Sequence, residues 1–408
     1  MPRPFFNAHD GPPAFLLRNL GNATFEDITT ASGLDPHRHR RSYAASFADL
    51  DLDGDLDLLV TSDFAGPDVF ENLGSTPIQF RLRTPDWLDQ PRAFGMSHAM
   101  ADFNADGLAD LLVLGMPQPT ADRLHHLGLQ RPGFEDWTAE RFAMTRGNRL
   151  FYAQTDGFRQ PPEPPSLARA GWAWSAAILD LDANRYPDVF IANGHETRAS
   201  VRDYEPEFWN HDIYVGTSIP NPVTDAYFSS KFAQARSAGW SYGGHDRNRL
   251  FLNLDGHQFL DVSHPLGLAL VADSRNAVTA DLDGDGDLDL LVTTTEPWPR
   301  LRQTLRHYEN SLTHSNAWIA VQLVPRPGGL PISGATVSVR DPLGTQSRPW
   351  LIGDAYRSQS PATLHFGLGA AHKVDEIVVH WPGGTRTVLS DPAPNQVHPV
   401  FAPGRVSH

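Results

Sequence analysis

The chain of 408 residues has no cysteine, which excludes disulfides, thiolate metal sites and a cysteine nucleophile. It also lacks any apolar run near the roughly 18 residues that a membrane-spanning helix needs. Met1 to Phe6 has none of the long apolar core of a leader peptide, so the sequence reads either as a cytosolic protein or as the mature or trimmed form of an exported one. Positive charge is scarce, with 33 Lys and Arg against 48 Asp and Glu and a formal charge of −15. That balance argues against nucleic acid as a partner. Apolar residues still make up 40% of the chain, enough for folded cores, so disorder is not expected.

The acid is concentrated. Sixteen of the 48 acidic residues fall in four nine-residue loops, each followed by an alternating apolar run. The first loop holds Asp49, Asp51, Asp53, Asp55 and Asp57, and the fourth holds Asp281, Asp283, Asp285, Asp287 and Asp289. Asp102, Asn104, Asp106 and Asp110 form the second, and Asp180, Asp182, Asn184 and Asp188 the third. Oxygen ligands at positions 1, 3, 5 and 9, with a backbone carbonyl near position 7, suit a hard divalent cation, so calcium is expected at up to four sites. Four bound dications would change −15 to −7, since 4 × 2 = 8.

An EF-hand ends in Glu at position 12 and leads into a helix, whereas these loops end in Asp at position 9. The following segment, Leu56-Asp57-Leu58-Leu59-Val60 in the first copy, has a period of two and reads as a strand. Gly54, Gly107 and Gly286 at position 6 permit a positive φ, and Arg185 stands there in the third copy. Small-residue strands such as Ala44 to Ala48 and Ala277 to Ala280 precede the loops.

A second phrase alternates with the loops: Arg18 to Thr29, Asn248 to Val262, and partial versions at Asn148 to Phe158 and Arg123 to Trp137. Each reads as two short strands around a turn. Units of about 40 to 50 residues with four strands predict an all-β propeller over residues 13–315, of six or seven blades with seven preferred. A β-solenoid ranks second. Residues 195–246 carry many aromatics and no acidic loop, and read as a degenerate blade or a wall over a binding site, with Ser229 to Ala238 helical. Residues 316–402 change vocabulary to alternating strands with Gly and Pro turns, a separate small all-β domain.

The acidic loops with their flanking strands resemble FG-GAP or VCBS repeats. The tail, through Ser358-Gln359-Ser360, His365-Phe366-Gly367-Leu368-Gly369 and Trp381-Pro382-Gly383-Gly384, is similar to an ASPIC/UnbV domain. The pairing is that of cartilage acidic protein-like chains of bacterial type. The resemblance implies a calcium-stabilised propeller, usually exported to the periplasm or beyond, with adhesive or partner-binding roles.

Residues just ahead of each loop-bearing strand should converge at the propeller axis, away from the metal loops: Arg40, Arg41, Met96, His98, Trp172, Trp174, Ser274 and Arg275. Of these, Arg41, His98, Trp172, Trp174 and Arg275 form the candidate ligand collar. Two functions stay open. One is a binding or adhesion module for a protein, carbohydrate or small molecule. The other is an enzyme acting on a hydrophobic or aromatic small molecule or a sugar, with His98, His195, His245, Asp246 and Arg275 as catalytic candidates and calcium structural.

Overall fold

The computed structural model describes residues 6–129, 133, 135–207, 209, 221–312 and 314–404. Each acidic loop joins the first two strands of an antiparallel sheet. The first sheet runs Arg41–Ala48, Asp57–Asp63, Gly66–Asn72, Phe80–Leu82, and the second Gly95–Ala101, Asp110–Gly115, Arg149–Gln154, Gly157–Arg159. The third runs Ala173–Leu179, Asp188–Asn193, Arg249–Asn253, Phe259–Asp261, and the fourth, with three strands, Asp273–Ala280, Asp289–Glu296, Arg302–Tyr308. These are propeller blades.

The second strand of each blade lies mid-sheet between neighbouring blades, which is why its residues are apolar on both faces. In Asp188–Asn193, Val189 and Ile191 pack with Leu112 and Leu114 of the second blade. Phe190 and Ala192 on the other face pack with Ala277, Leu290 and Val292 of the fourth. A third core joins Leu59 and Val69 of the first blade to Leu111, Val113 and Phe151 of the second.

The blade count differs from expectation. Among the described residues four loop-bearing blades are found, where seven, or six, were predicted. The extra sequence length goes into insertions between second and third strands. In the second blade these are helices Pro119–His126 and Glu135–Met144, so both ends of the phrase expected as strands at Arg123 to Trp137 are helical. In the third blade the insertion is residues 194–248, which carries helix Pro222–Ser237 rather than a degenerate blade. Asn221 caps that helix, its side chain accepting from the Val223 and Thr224 amides at 3.0 and 3.3 Å. Residues 208 and 210–220 of the insert lie outside the described residues.

The tail forms two sheets. Thr363–Gly369, Ala317–Val324 and Val397–Phe401 make one, and Gly344–Pro349, Thr336–Asp341, Glu376–His380 and Arg386–Ser390 the other. Ile319, Val321, Val337, Val339, Phe366, Ile377 and Val379 fill the space between them.

Candidate functional site

The same hydrogen-bond network builds all four loops. The position-9 carboxylate accepts the position-2 amide: Leu50 to Asp57 at 2.9 Å, Phe103 to Asp110 at 2.8 Å, Leu181 to Asp188 at 2.8 Å and Leu282 to Asp289 at 3.0 Å. Its other oxygen accepts an amide at or just after the third strand, from Asn72, Ala153, Asn253 and Asn310 at 2.8 to 2.9 Å. The position-1 carboxylate accepts the position-6 amide, from Gly54, Gly107, Arg185 and Gly286 at 2.8 to 3.2 Å. Position 6 has φ of 97°, 94°, 88° and 100° in turn, so Arg185 holds the left-handed backbone that glycine holds elsewhere.

These bonds aim carboxylates inward. Asp49, Asp51 and Asp57 bring oxygens within 4.8 Å of one another, as do Asp180, Asp182 and Asp188, and Asp281, Asp283 and Asp285. Asp49 Oδ1, Asp55 Oδ1, Asp182 Oδ1 and Asp287 Oδ1 are buried without a hydrogen-bond partner. Such oxygens are costly to bury unless a cation takes them. Burial pushes Asp49 up to about 6, and Asp57, Asp102, Asp180 and Asp287 up to about 7. In the second loop the Asn104 amide donates to Asp106 at 2.9 Å. The donor set, all oxygen and mostly anionic, fits a hard dication.

The tail domain lies on this loop face and touches every loop. Gly383 N–H donates to the Gly54 carbonyl at 2.9 Å and Ser347 N–H to Asp102 Oδ2 at 3.2 Å. At the third loop Gly369 N–H reaches the Ala183 carbonyl at 2.8 Å and the Asn316 amide the Asp182 carbonyl at 2.8 Å. A Cβ on Gly367 would lie 2.1 Å from Asp180 Oδ2, so only glycine lets the backbone pass there. At the fourth loop His365 Nε2 lies 2.9 Å from the Gly286 carbonyl.

A tail segment also occupies the axis. Ser46 Oγ donates to the Ile352 carbonyl at 2.9 Å, His98 N–H to the Asp354 carbonyl at 3.1 Å, and the Asn276 amide to the Tyr356 carbonyl. An open axial pocket was expected; the segment Leu351 to Tyr356 enters it and closes part of it.

At the far end of the inner strands the blades share a second device. Each first strand has a register shift at the same place, between Ser42 and Ala44, Gly95 and Ser97, Ala173 and Ser175, and Ser274 and Asn276. The residues skipped are Tyr43, Met96, Trp174 and Arg275. Bulges re-aim side chains, and here they direct the collar. The Arg275 guanidinium lies 4.4 Å from the Trp174 ring centroid, and Tyr356 packs on Trp174 at 4.9 Å and Tyr43 at 6.0 Å. His195 stacks on Trp172 at 4.8 Å. Tyr43 and Tyr356 were missed by sequence reasoning; the bulge that aims Tyr43 shows only in strand register.

The other candidates are placed differently. His98 is 1% exposed, its nitrogens 2.9 Å from Thr61 Oγ1 and Ser46 Oγ, and burial lowers it to about 3. It is a neutral core residue, away from the collar surface and from acid–base work near neutral pH. Arg41 lies beside Asp10, in two bonds of 2.9 Å. His245 Nε2 faces the Arg198 carbonyl at 3.2 Å, and Asp246 accepts the Trp172 amide at 2.8 Å. Only His195 and Arg275 meet, at 3.5 Å.

A propeller with acidic blade loops under a β-sandwich tail defines a class. Residues 49–113 match the family model described as FG-GAP-like repeat, and residues 329–405 the one described as ASPIC and UnbV. The chain is thus similar to FG-GAP-repeat proteins over its first loops and to ASPIC/UnbV domains over its tail. It is similar to cartilage acidic protein 1 of Mus musculus, 29% identical over 159 residues, covering 37% of this chain and 24% of that protein. The chain thus spans about a quarter of that relative's length. Among solved structures, the V. cholerae biofilm matrix protein Bap1 aligns over 87% of this chain and 60% of its own, at 10% identity and a TM-score of 0.25. No helix among the described residues is long and apolar enough to cross a membrane.

Proposed function

We propose that this chain is a calcium-stabilised binding module that holds its ions under the tail domain and meets its partner at the collar end of the blades. The observation that carries the reading is the set of four bulges at one register, which gathers Tyr43, Trp174 and Arg275 at the far end of the inner strands around Tyr356 of the tail segment. Tyr43 is 42% exposed there, edge-on to the buried Trp174, while Arg275 is half-buried and donates to the Gly194, Ser274 and His195 carbonyls. Aromatic faces with a guanidinium suit an anionic sugar, an acidic protein loop or an aromatic acid. Calcium is assigned a structural part, with up to four ions rigidifying the loops. If each site had a dissociation constant near 10 µM, about 1 mM calcium would add roughly 2.7 kcal/mol per site, which places the protein best outside the cell.

The enzyme alternative has no comparable support. Of its five candidates His98 is buried apart in the core, and His195, which meets Arg275, is lowered to about 4 by burial and the adjacent guanidinium.

The test is a glycan and acidic-peptide array probed with calcium-loaded protein. Binding that is lost in Tyr43→Ala and Arg275→Ala, in variants shown to be folded, supports the collar. Binding unaffected by both substitutions refutes it.

A further inference from the structure

A cavity of about 240 Å³ lies on the blade axis between the inner strands and the tail domain. Arg348 and Asp354 both line it. The Arg348 guanidinium has one protein hydrogen bond, from Nη2 to the Ile178 carbonyl at 3.3 Å, and burial lowers its pKa to about 10. Asp354 accepts the Ala355 amide at 2.9 Å, and burial raises it to about 6. Among the described residues neither group forms an ion pair, although each feels the other's charge across the cavity. Two opposite charges held apart on one cavity wall, both half-buried, suit a partner bearing both signs.

A third group on the wall agrees. His365 Nε2 faces the Gly286 carbonyl at 2.9 Å and so carries the proton, leaving Nδ1 an acceptor. That Nδ1 is buried without a partner. The cavity therefore offers one forked donor for a carboxylate, and two acceptors for a cationic N–H group.

We infer that this cavity binds a small zwitterion of the α-amino-acid class, its carboxylate on Arg348 and its ammonium on Asp354 and His365. The volume agrees, since pockets for drug-sized ligands start near about 300 Å³. A plain anion would leave Asp354 unmatched and would face Asp281, which also lines the wall. Gln359 lines the cavity and is exposed, so the site reaches solvent there. This site is separate from the collar, and its failure would leave the collar reading untouched.

Isothermal titration calorimetry of the full calcium-loaded chain tests it, with glycine, L-leucine and L-phenylalanine as probes and acetate and methylamine as half-ligands. At least one amino acid should bind, with acetate and methylamine at least tenfold weaker. D354N keeps the side-chain shape and should lose tenfold or more in affinity, as should R348M. Absence of binding by all three amino acids at about 10 mM would assign the cavity to a water-bridged Arg348–Asp354 pair and overturn the inference. Binding of acetate as tight as that of the amino acids, or binding unchanged in D354N, would overturn it equally.

Discussion

The guanidinium of Arg185, in the third acidic loop, pairs with the carboxylate of Asp341 in the tail domain, and their side chains are only 7% and 0% exposed. Arg185 thus spends a left-handed backbone position, with φ at 88°, on a buried link between propeller and tail. Replacing it with glycine relieves about 1 kcal/mol of backbone strain but leaves the buried Asp341 carboxylate without its cation, held by the Leu343 amide at 2.7 Å. Breaking a buried pair costs about 3 to 5 kcal/mol, so Arg185→Gly should destabilise the chain by about 2 to 4 kcal/mol. Chemical denaturation measures this, and Asp341→Leu combined with Arg185→Gly should recover part of the loss.

The loop carboxylates separate into two kinds. Asp188 is buried and satisfies two backbone amides, whereas Asp53 is exposed. Asp188→Ala should lower stability by about 2 to 4 kcal/mol with or without calcium, because two buried backbone donors lose their acceptor. Asp53→Ala should change little in EGTA and lower the melting temperature only in calcium. Thermal unfolding of both variants under both conditions separates structural from ligand carboxylates.

The acid groups also set a pH dependence. Asp49 rises to about 6 and Asp57, Asp102 and Asp287 to about 7 in the fold, above the ordinary 3.8, because burial disfavours their charge. The metal-free fold therefore holds more protons than the unfolded chain between those values. Its stability from these groups is full below pH 3.8 and is lost as pH rises through 6 to 7. In EGTA the melting temperature should fall from pH 5 to pH 8, and calcium should abolish that fall by replacing the protons. A flat profile in EGTA, with metal shown to be absent, would contradict this.

His98 should behave as packing. Its ring resonances should not titrate between pH 4.5 and 8, since burial holds it near 3. His98→Leu should cost about 1 to 3 kcal/mol by stranding the Thr61 and Ser46 hydroxyls, while collar binding persists.

The loops and the sheets they join were legible in the chain, because both are local: carboxylates two residues apart, a turn glycine, then a period of two. Arg185 stood out at position 6, but its partner Asp341 lies 156 residues away, and no local pattern joins them. The blade count failed for a related reason. The gap from Asp102 to Asp180 was read as strands, although Pro119 at a helix start and Glu135-Asp136 in a first turn were helical signals. The collar was half legible. Trp174 and Arg275 were found from their place ahead of the loops, yet the bulges that aim them, and the tail segment that brings Tyr356, depend on pairing between distant strands.

The tail touches all four loops, and in synthesis it is the last part of the propeller's surroundings to emerge. If the loops hold calcium as proposed, the blades would load their ions while the loop face still stands open to solvent, and docking of the tail would shut the door behind them. Exchange with labelled calcium should then follow the rate at which the tail lifts rather than the affinity of any single loop.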